Sequence, residues 1–217
     1  MPKLTLYFGP GACSLVPHIT LEEAGAAFEA KPVALRKGQQ RTPEYLALNA
    51  KGKVPLILVD GRPLTENVAI AYYLAKTLPN AKLLPSGDAE AEAQALSLLA
   101  WCASGVHPRF GALFGPQRLS DMPEAADNVK KLATEDTHKN FAMIEKLLAG
   151  KEWALGSQWS VVDAYLFVFW RWANFHKLDL AAYPAYAKHA AKMAERPGVK
   201  RALAREADAQ ASFDKAA

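Results

Sequence analysis

The chain has 217 residues, 51% of them apolar, and a formal charge of +4; that length and composition support one or two folded domains and exclude intrinsic disorder. Its lysines and arginines are scattered among acids without a dense basic run, which argues against a nucleic-acid partner and for a mild pull on small anions. Two cysteines, Cys13 and Cys102, are too few for a disulfide framework, no apolar stretch reaches the roughly 20 residues that span a bilayer, and the N-terminus reads as a strand instead of a signal segment, so the expectation is a soluble, cytoplasmic protein without a membrane partner.

In chain order, Lys3 to Phe8 reads as a strand, Ser14 to Ala24 as an amphipathic helix ended by Gly25, and Phe28 to Leu35 as a second strand. Thr42-Pro43-Glu44 starts a short helix, with a capping threonine, proline at the first helical position and an acid in the first turn. Val54 to Val59 is an apolar β-rich run, Asp60-Gly61 a hairpin signal, and Pro63 to Thr65 a short last strand. Glu66 to Leu78 closes a βαβαββα unit as a helix. Composition changes at Pro79 to Asp88, and only helical patterns follow, so the chain divides into a domain at 1–80 and an all-helical domain at 88–217. In the second, one helix runs from Ala89 towards Phe114 with a bend near His107-Pro108, and another covers Pro123 to Leu148. Ser160-Val-Val-Asp163 matches a capping box ahead of a strongly apolar central helix. Two helices from Ala185 to Glu206 part near Arg196-Pro197-Gly198, and the last residues are expected to fray. The fold class is α+β.

Cys13 stands where the first strand passes through Pro10-Gly11 into a helix. Unpaired N–H groups and the positive dipole end at a helix start favour a thiolate, so a lowered pKa is expected for Cys13. Position 16 is valine, so no local dithiol can close and Cys13 acts alone. Cys102, beside Trp101 in an apolar helix, reads as a packed core residue. The histidines have no metal-ligand spacing with acids or cysteines, and no metal site is expected.

Four segments carry a family resemblance: Pro10-Gly-Ala-Cys-Ser-Leu with His18-Ile-Thr-Leu; Asn49-Ala-Lys-Gly-Lys-Val-Pro55 with Leu64-Thr-Glu-Asn-Val-Ala-Ile70; Ser160-Val-Val-Asp-Ala-Tyr-Leu-Phe with Arg171-Trp-Ala; and Met193-Ala-Glu-Arg-Pro-Gly-Val. In this order and spacing the chain resembles a cytosolic glutathione transferase of the bacterial beta class over nearly its whole length. The resemblance implies a thioredoxin-like first domain, an all-helical second domain, a homodimer, and glutathione as co-substrate with no further cofactor.

It also implies a cis bond between Val54 and Pro55 that exposes the Val54 main chain, so that the cysteinyl part of glutathione pairs there like an added strand. Glu66 and Asn67, at a helix N-terminus, suit the γ-glutamyl end of the ligand; read alone, they form a helix cap. Lys37, in the loop after the second strand, would hold the glycine carboxylate, with Lys53 as the alternative cation. Relatives often carry a second tyrosine where this chain has Phe8, so a strand-end hydroxyl must come from Tyr7, which could equally point into the core. The resemblance sets His107 opposite Cys13 to polarise a thiol or leaving group, although a histidine before proline also suits a helix bend. Ser104, one turn earlier, is a further ligand contact, and Ser14 a hydrogen-bond donor to the thiolate. Trp101, Phe110, Phe114 and Trp172 are acceptor-pocket walls or core.

The expected reaction is attack of the glutathione thiolate on a small hydrophobic electrophile, giving a thioether. A mixed disulfide at Cys13 would instead give thiol-transferase or peroxide-reducing activity. A non-catalytic interaction protein on the same fold, or a glutathione-dependent isomerase or dehalogenase, are the alternatives; retention of Cys13, Val54-Pro55 and Glu66 favours an enzyme.

Overall fold

A computed structural model describes residues 2–215. They form two compact units, Met1–Ser86 with Ala194–Ala217, and Gly87–Met193. The first is built on a four-stranded sheet of β1 (Leu4–Phe8), β2 (Phe28–Pro32), β3 (Leu56–Val59) and β4 (Arg62–Thr65), in the order β2-β1-β3-β4. β1 is parallel to β2 and antiparallel to β3, and β3 to β4 is an antiparallel hairpin. Asp60 and Gly61, at φ 49° and 81°, give that hairpin the doubly left-handed turn whose twist matches its strands.

α1 (Leu15–Glu23), α2 (Pro43–Leu48) and α3 (Asn67–Thr77) complete the βαβαββα order expected from the sequence. Thr42 caps α2, its hydroxyl accepting the Tyr45 N–H at 3.4 Å. Two strands are shorter than expected by more than one residue, and proline is the reason in both. β2 stops at Pro32, after which the chain coils through 3₁₀ turns at Leu35–Lys37 and Gln39–Arg41; β3 starts only after Pro55.

The amphipathic pattern expected of α1 gives way to burial from Leu15 through Glu22. Its outer face is covered by α9 (Pro197–Lys215), which belongs to the first compact unit instead of the helical stretch 88–217. Chain order alone cannot reveal this return; ion pairs hold it. Arg201 Nε meets Glu22 Oε2 at 2.7 Å, Arg205 Nε meets Glu22 Oε1 at 3.0 Å, and Arg196 pairs with Glu23. The Gly198 N–H donates to Glu23 Oε1 at 2.9 Å. α9 continues to Lys215, where fraying was expected; positions 216–217 lie outside the described residues.

The second unit is helical: α4 (Ala89–Trp101), α5 (His107–Phe114), α6 (Ala125–Leu148), α7 (Val161–Phe175) and most of α8 (Pro184–Glu195). The bend expected near His107-Pro108 is a π-helical turn over Cys102–Val106, in which the His107 N–H reaches back five residues to the Cys102 carbonyl. A widened turn makes room for the Pro108 ring and its missing N–H, and the loosened Gly105 carbonyl accepts from Asn140 Nδ2 at 3.4 Å. At the start of α7, Asp163 closes the expected capping box, taking the Ser160 N–H at 2.7 Å, and also binds the Ala154 N–H and His189 Nε2, each at 2.8 Å. Among the described residues, no helix is long and apolar enough to cross a membrane.

Gly198→Ala tests the α1–α9 contact, because a methyl group there would lie 2.7 Å from the Glu23 backbone nitrogen. Overpacking of this kind costs about 1–3 kcal/mol, and roughly 2–4 °C of melting temperature per kcal/mol follows for a chain of this size; thermal unfolding followed by circular dichroism should show the drop. His18 is fully buried between Phe8 and Phe28, with no hydrogen-bond partner on either ring nitrogen, and burial lowers its pKa to about 4. The unfolded chain therefore takes up this proton first, and the stability that neutral His18 contributes is lost as pH falls from about 6.5 through about 4. His18→Phe should flatten the acid limb of the stability curve by on the order of 3 kcal/mol, read from urea unfolding across that pH range.

Candidate active site

The site is built around the junction of β1 and α1. The turn closes through Ala12 N–H to the Gly9 carbonyl at 3.0 Å, and the helix opens with Leu15 and Val16 N–H groups donating to the carbonyls of Ala12 and Cys13, each at 3.1 Å. Gly11 sits at φ 75°, where a side chain would be strained. Ser14 is fully buried, its hydroxyl accepting from the Gly9 N–H at 3.0 Å and donating to the Gly9 carbonyl at 3.2 Å. That corrects the expected donation from Ser14 to a thiolate: the hydroxyl proton is already engaged with the main chain, and the residue pins the turn.

Cys13 is half-buried, and its thiol donates to the Val54 carbonyl at 3.4 Å. Burial pushes this thiol up to about 12; its own backbone N–H, Asn67 and Lys53 act in the opposite direction, and the Glu66 carboxylate adds to the rise. The thiolate expected from the helix start is thus overturned. A helix dipole supplies about 0.3–1 kcal/mol at exposed sites and up to ~2 when partly buried, whereas removing a charge from water costs several kcal/mol, so desolvation wins. Cys102 is buried and its thiol is raised as well, in keeping with a core residue.

The Val54–Pro55 bond is cis, as the resemblance implied. The preceding loop is held by Tyr45 Oη and Asn49 Nδ2, both donating to the Lys53 carbonyl at 2.7 Å, and it leaves the Lys53 side chain exposed. Glu66 opens α3 at φ 74° with its carboxylate exposed, and Lys51 Nζ pairs with it at 2.5 Å while contacting the Thr65 hydroxyl at 3.0 Å. Lys51 was missed in the sequence; its place in the Asn49–Lys53 loop beside Lys53 was the available signal. Asn67 is buried, and its Nδ2 donates to the Cys13 carbonyl at 3.2 Å, while Oδ1 has no hydrogen-bond partner. This amide therefore ties α3 to the cysteine turn, a role its reading as a ligand contact did not include.

Two expected ligand residues are placed elsewhere. Lys37 Nζ donates to the Phe213 carbonyl at 2.8 Å, a cation at the C-terminal end of α9, so the structure does not bring it to the cysteine turn. Lys53, the alternative cation, is the one of the two that acts electrostatically on Cys13. The Tyr7 ring packs into the cluster of Val33, Tyr45, Val54 and Leu56, edge-on to Tyr45 with centroids 5.9 Å apart. Strand alternation turns it away from the face of Leu6 and Phe8, giving it the packing role that the sequence had left open.

His107 and Ser104 belong to the second unit. His107 Nδ1 is 2.8 Å from the Tyr165 hydroxyl, and its ring lies against Trp172 at 5.0 Å. The exposed Ser104 hydroxyl donates to the Ala100 carbonyl at 2.8 Å, one turn back. Phe110 and Trp172 are core residues, whereas Phe114 is exposed with its ring edge-on to Trp172. Among the described residues, no cluster of three or more His, Cys, Asp or Glu side chains is arranged to hold a metal ion.

Residues 2–76 match the family described as glutathione S-transferase, N-terminal domain, and residues 117–206 match glutathione S-transferase, C-terminal domain. The chain is 37% identical over 205 residues to glutathione S-transferase GstA of Escherichia coli O157:H7, covering 94% of this chain and 98% of that protein. Among solved structures, it is 39% identical to a sphingomonad glutathione S-transferase complexed with glutathione, at a TM-score of 0.83 and coverage of 94% and 98%. A bacterial beta-class glutathione S-transferase from Sphingomonas chungbukensis is 37% identical, with a TM-score of 0.82 and coverage of 93% and 98%. With a cysteine at the strand-to-helix turn, a cis Val54–Pro55 bond beside it and family matches on both sides of the interdomain segment, the chain belongs to the glutathione S-transferase family, on its bacterial beta-class branch.

Proposed function

We propose that this protein conjugates the thiol of reduced glutathione to small hydrophobic electrophiles, and that Cys13 takes part as a hydrogen-bond donor. The observation that carries the reading is the Cys13 S–H aimed at the Val54 carbonyl. An incoming cysteinyl peptide pairing with the Val54 main chain competes for that carbonyl, leaving the Cys13 proton for the ligand's sulfur. Because burial raises the Cys13 thiol, it stays protonated at neutral pH and donates to the glutathione thiolate.

The glutathione thiol gives its proton to solvent, its sulfur forms a bond to the electrophilic carbon, and the leaving group departs with the electron pair of the bond that breaks. The α3 N-terminus at Glu66 suits the ammonium and carboxylate of the γ-glutamyl end, with Lys51 beside it, and Lys53 suits the glycine carboxylate. His107, in the second unit, has its ring oriented by the Tyr165 hydroxyl on Nδ1. No cofactor beyond glutathione enters this scheme, and a homodimer is carried over from the family. Mixed-disulfide chemistry at Cys13 is secondary, because it requires the thiolate that burial disfavours.

Calorimetric titration with reduced glutathione should give saturable heat at a Kd below about 1 mM, equivalent to about 4 kcal/mol. Lys53→Ala and Glu66→Gln should weaken it, and Cys13→Ala should lower kcat for a chloronitrobenzene by about tenfold or more, near 1.4 kcal/mol of barrier. No heat and no thermal stabilisation by millimolar glutathione would overturn the reading. In the ligand-free protein, Cys13 alkylation by iodoacetamide should accelerate about tenfold per pH unit from about pH 8 to 10 without a plateau. Intact mass against time measures it, and a plateau with a midpoint below about pH 8 would mean that Cys13 is a thiolate after all.

A further inference from the structure

We propose that Lys51 is a ligand-binding residue, its ammonium group receiving the α-carboxylate of an incoming amino-acid head while Glu66 beside it receives the α-ammonium. This deepens the function proposed above and rests on it, since the head in question is the γ-glutamyl end of glutathione.

Lys51 Nζ lies 2.5 Å from Glu66 Oε1 and 3.0 Å from Thr65 Oγ1. An ammonium carries three N–H donors, and these two contacts engage two of them. One donor is left for a ligand. The lysine and glutamate side chains are 53% and 66% exposed, and an ion pair so open to water adds little to stability. A cation and an anion side by side complement a zwitterion whose ammonium and carboxylate stand on one carbon, because the four charges then alternate in sign.

The loop that carries Lys51 is fixed from behind. Asn49 is buried, its Oδ1 accepting the Lys51 N–H at 3.1 Å while its Nδ2 donates to the Lys53 carbonyl at 2.7 Å. Gly52 makes the turn at φ 59°, and a side chain there would come within 3.2 Å of the Gln40 carbonyl oxygen. Few loop conformations satisfy both demands, so Lys51 is delivered to the start of α3 in one place.

That helix start is open to a ligand. Glu66 makes no side-chain cap, its carboxylate being turned to Lys51 instead, and the first helical bond runs from the Ile70 N–H to the Glu66 carbonyl at 2.9 Å. The N–H groups of residues 67–69 therefore have no partner within the helix. Asn67, the first helical residue, is only 7% exposed, and its Oδ1 has no hydrogen-bond partner. Lys51 adds a full charge where the helix start offers partial ones.

Calorimetry on the full-length protein with three probes tests this: reduced glutathione, its analogue with the γ-glutamyl α-carboxyl group as an amide, and its analogue lacking the α-amino group. Wild type should bind glutathione about tenfold more tightly than the amide. Lys51→Met, with Lys51→Gln as a second charge-removing variant, should weaken glutathione by about tenfold and shrink the preference over the amide to about twofold, the share left to the α3 start. The preference over the des-amino analogue belongs to Glu66 and should stay, and Lys51→Arg should recover most of the loss. In wild type the preference over the amide should also shrink as ionic strength rises from about 0.01 M to about 1 M, where the screening length falls from about 30 Å to about 3 Å. A methionine variant that binds glutathione as tightly as wild type or more so, or that keeps the full preference over the amide, would overturn the proposal and leave the conjugation reading intact. Loss of the preference over the des-amino analogue alone would make Lys51 a support for Glu66 and overturn it too. No heat in wild type from millimolar glutathione would overturn the proposal together with the function on which it rests.

Discussion

The hydrogen bond from the Cys13 thiol to the Val54 carbonyl is the contact on which the rest of the site depends. It requires the end of β1 and the start of β3 to meet at a defined distance, and the antiparallel register that sets Tyr7 opposite Leu56 provides this. Ser14 fixes the turn to Gly9, Asn67 fixes the cysteine carbonyl to α3, and α9 closes over the opposite side of α1. Each bond is individually modest, on the order of 1 kcal/mol net, but together they leave the thiol few alternative positions.

Electrostatics at this junction is a contest between a helix terminus and burial. A cysteine at a helix start would favour the anion if solvent reached it, yet here the surroundings remove more hydration than the dipole and nearby donors return. The site accordingly holds a neutral donor, which fits stabilisation of a sulfur anion supplied by a ligand better than attack by the protein's own sulfur. Lys51, Lys53 and Glu66 remain exposed around it, and the Lys51–Glu66 pair avoids the desolvation cost that a buried ion pair carries.

The second unit shows the same interplay between a local exception and its surroundings. Pro108 cannot continue a regular helix, and the chain answers with a π turn instead of a break, keeping α4 and α5 continuous while rotating His107 into an aromatic neighbourhood of Tyr165, Phe169 and Trp172. Asp163 is the counterpart at α7, where one buried carboxylate joins the helix start, the preceding loop and His189. Both features needed only a recognisable local signal, proline in one case and a capping box in the other.

Elements whose cause is local were therefore legible in the chain itself. The Asp60-Gly61 turn, the Thr42 and Ser160 caps, the strand of Leu4, Leu6 and Phe8, and the place of Cys13 at a strand-to-helix turn follow from φ preference, hydrogen-bonding side chains and residue period. The protonation of Cys13, the inward task of Ser14, the diversion of Lys37 to Phe213, and the pairing of Lys51 with Glu66 were not. The sequence by itself determined which residues stand at the turn and what chemistry they carry. The tertiary structure alone decided how much water reaches them and which distant groups occupy their donors and acceptors, because desolvation and partner choice are set by atoms brought together from opposite ends of the chain.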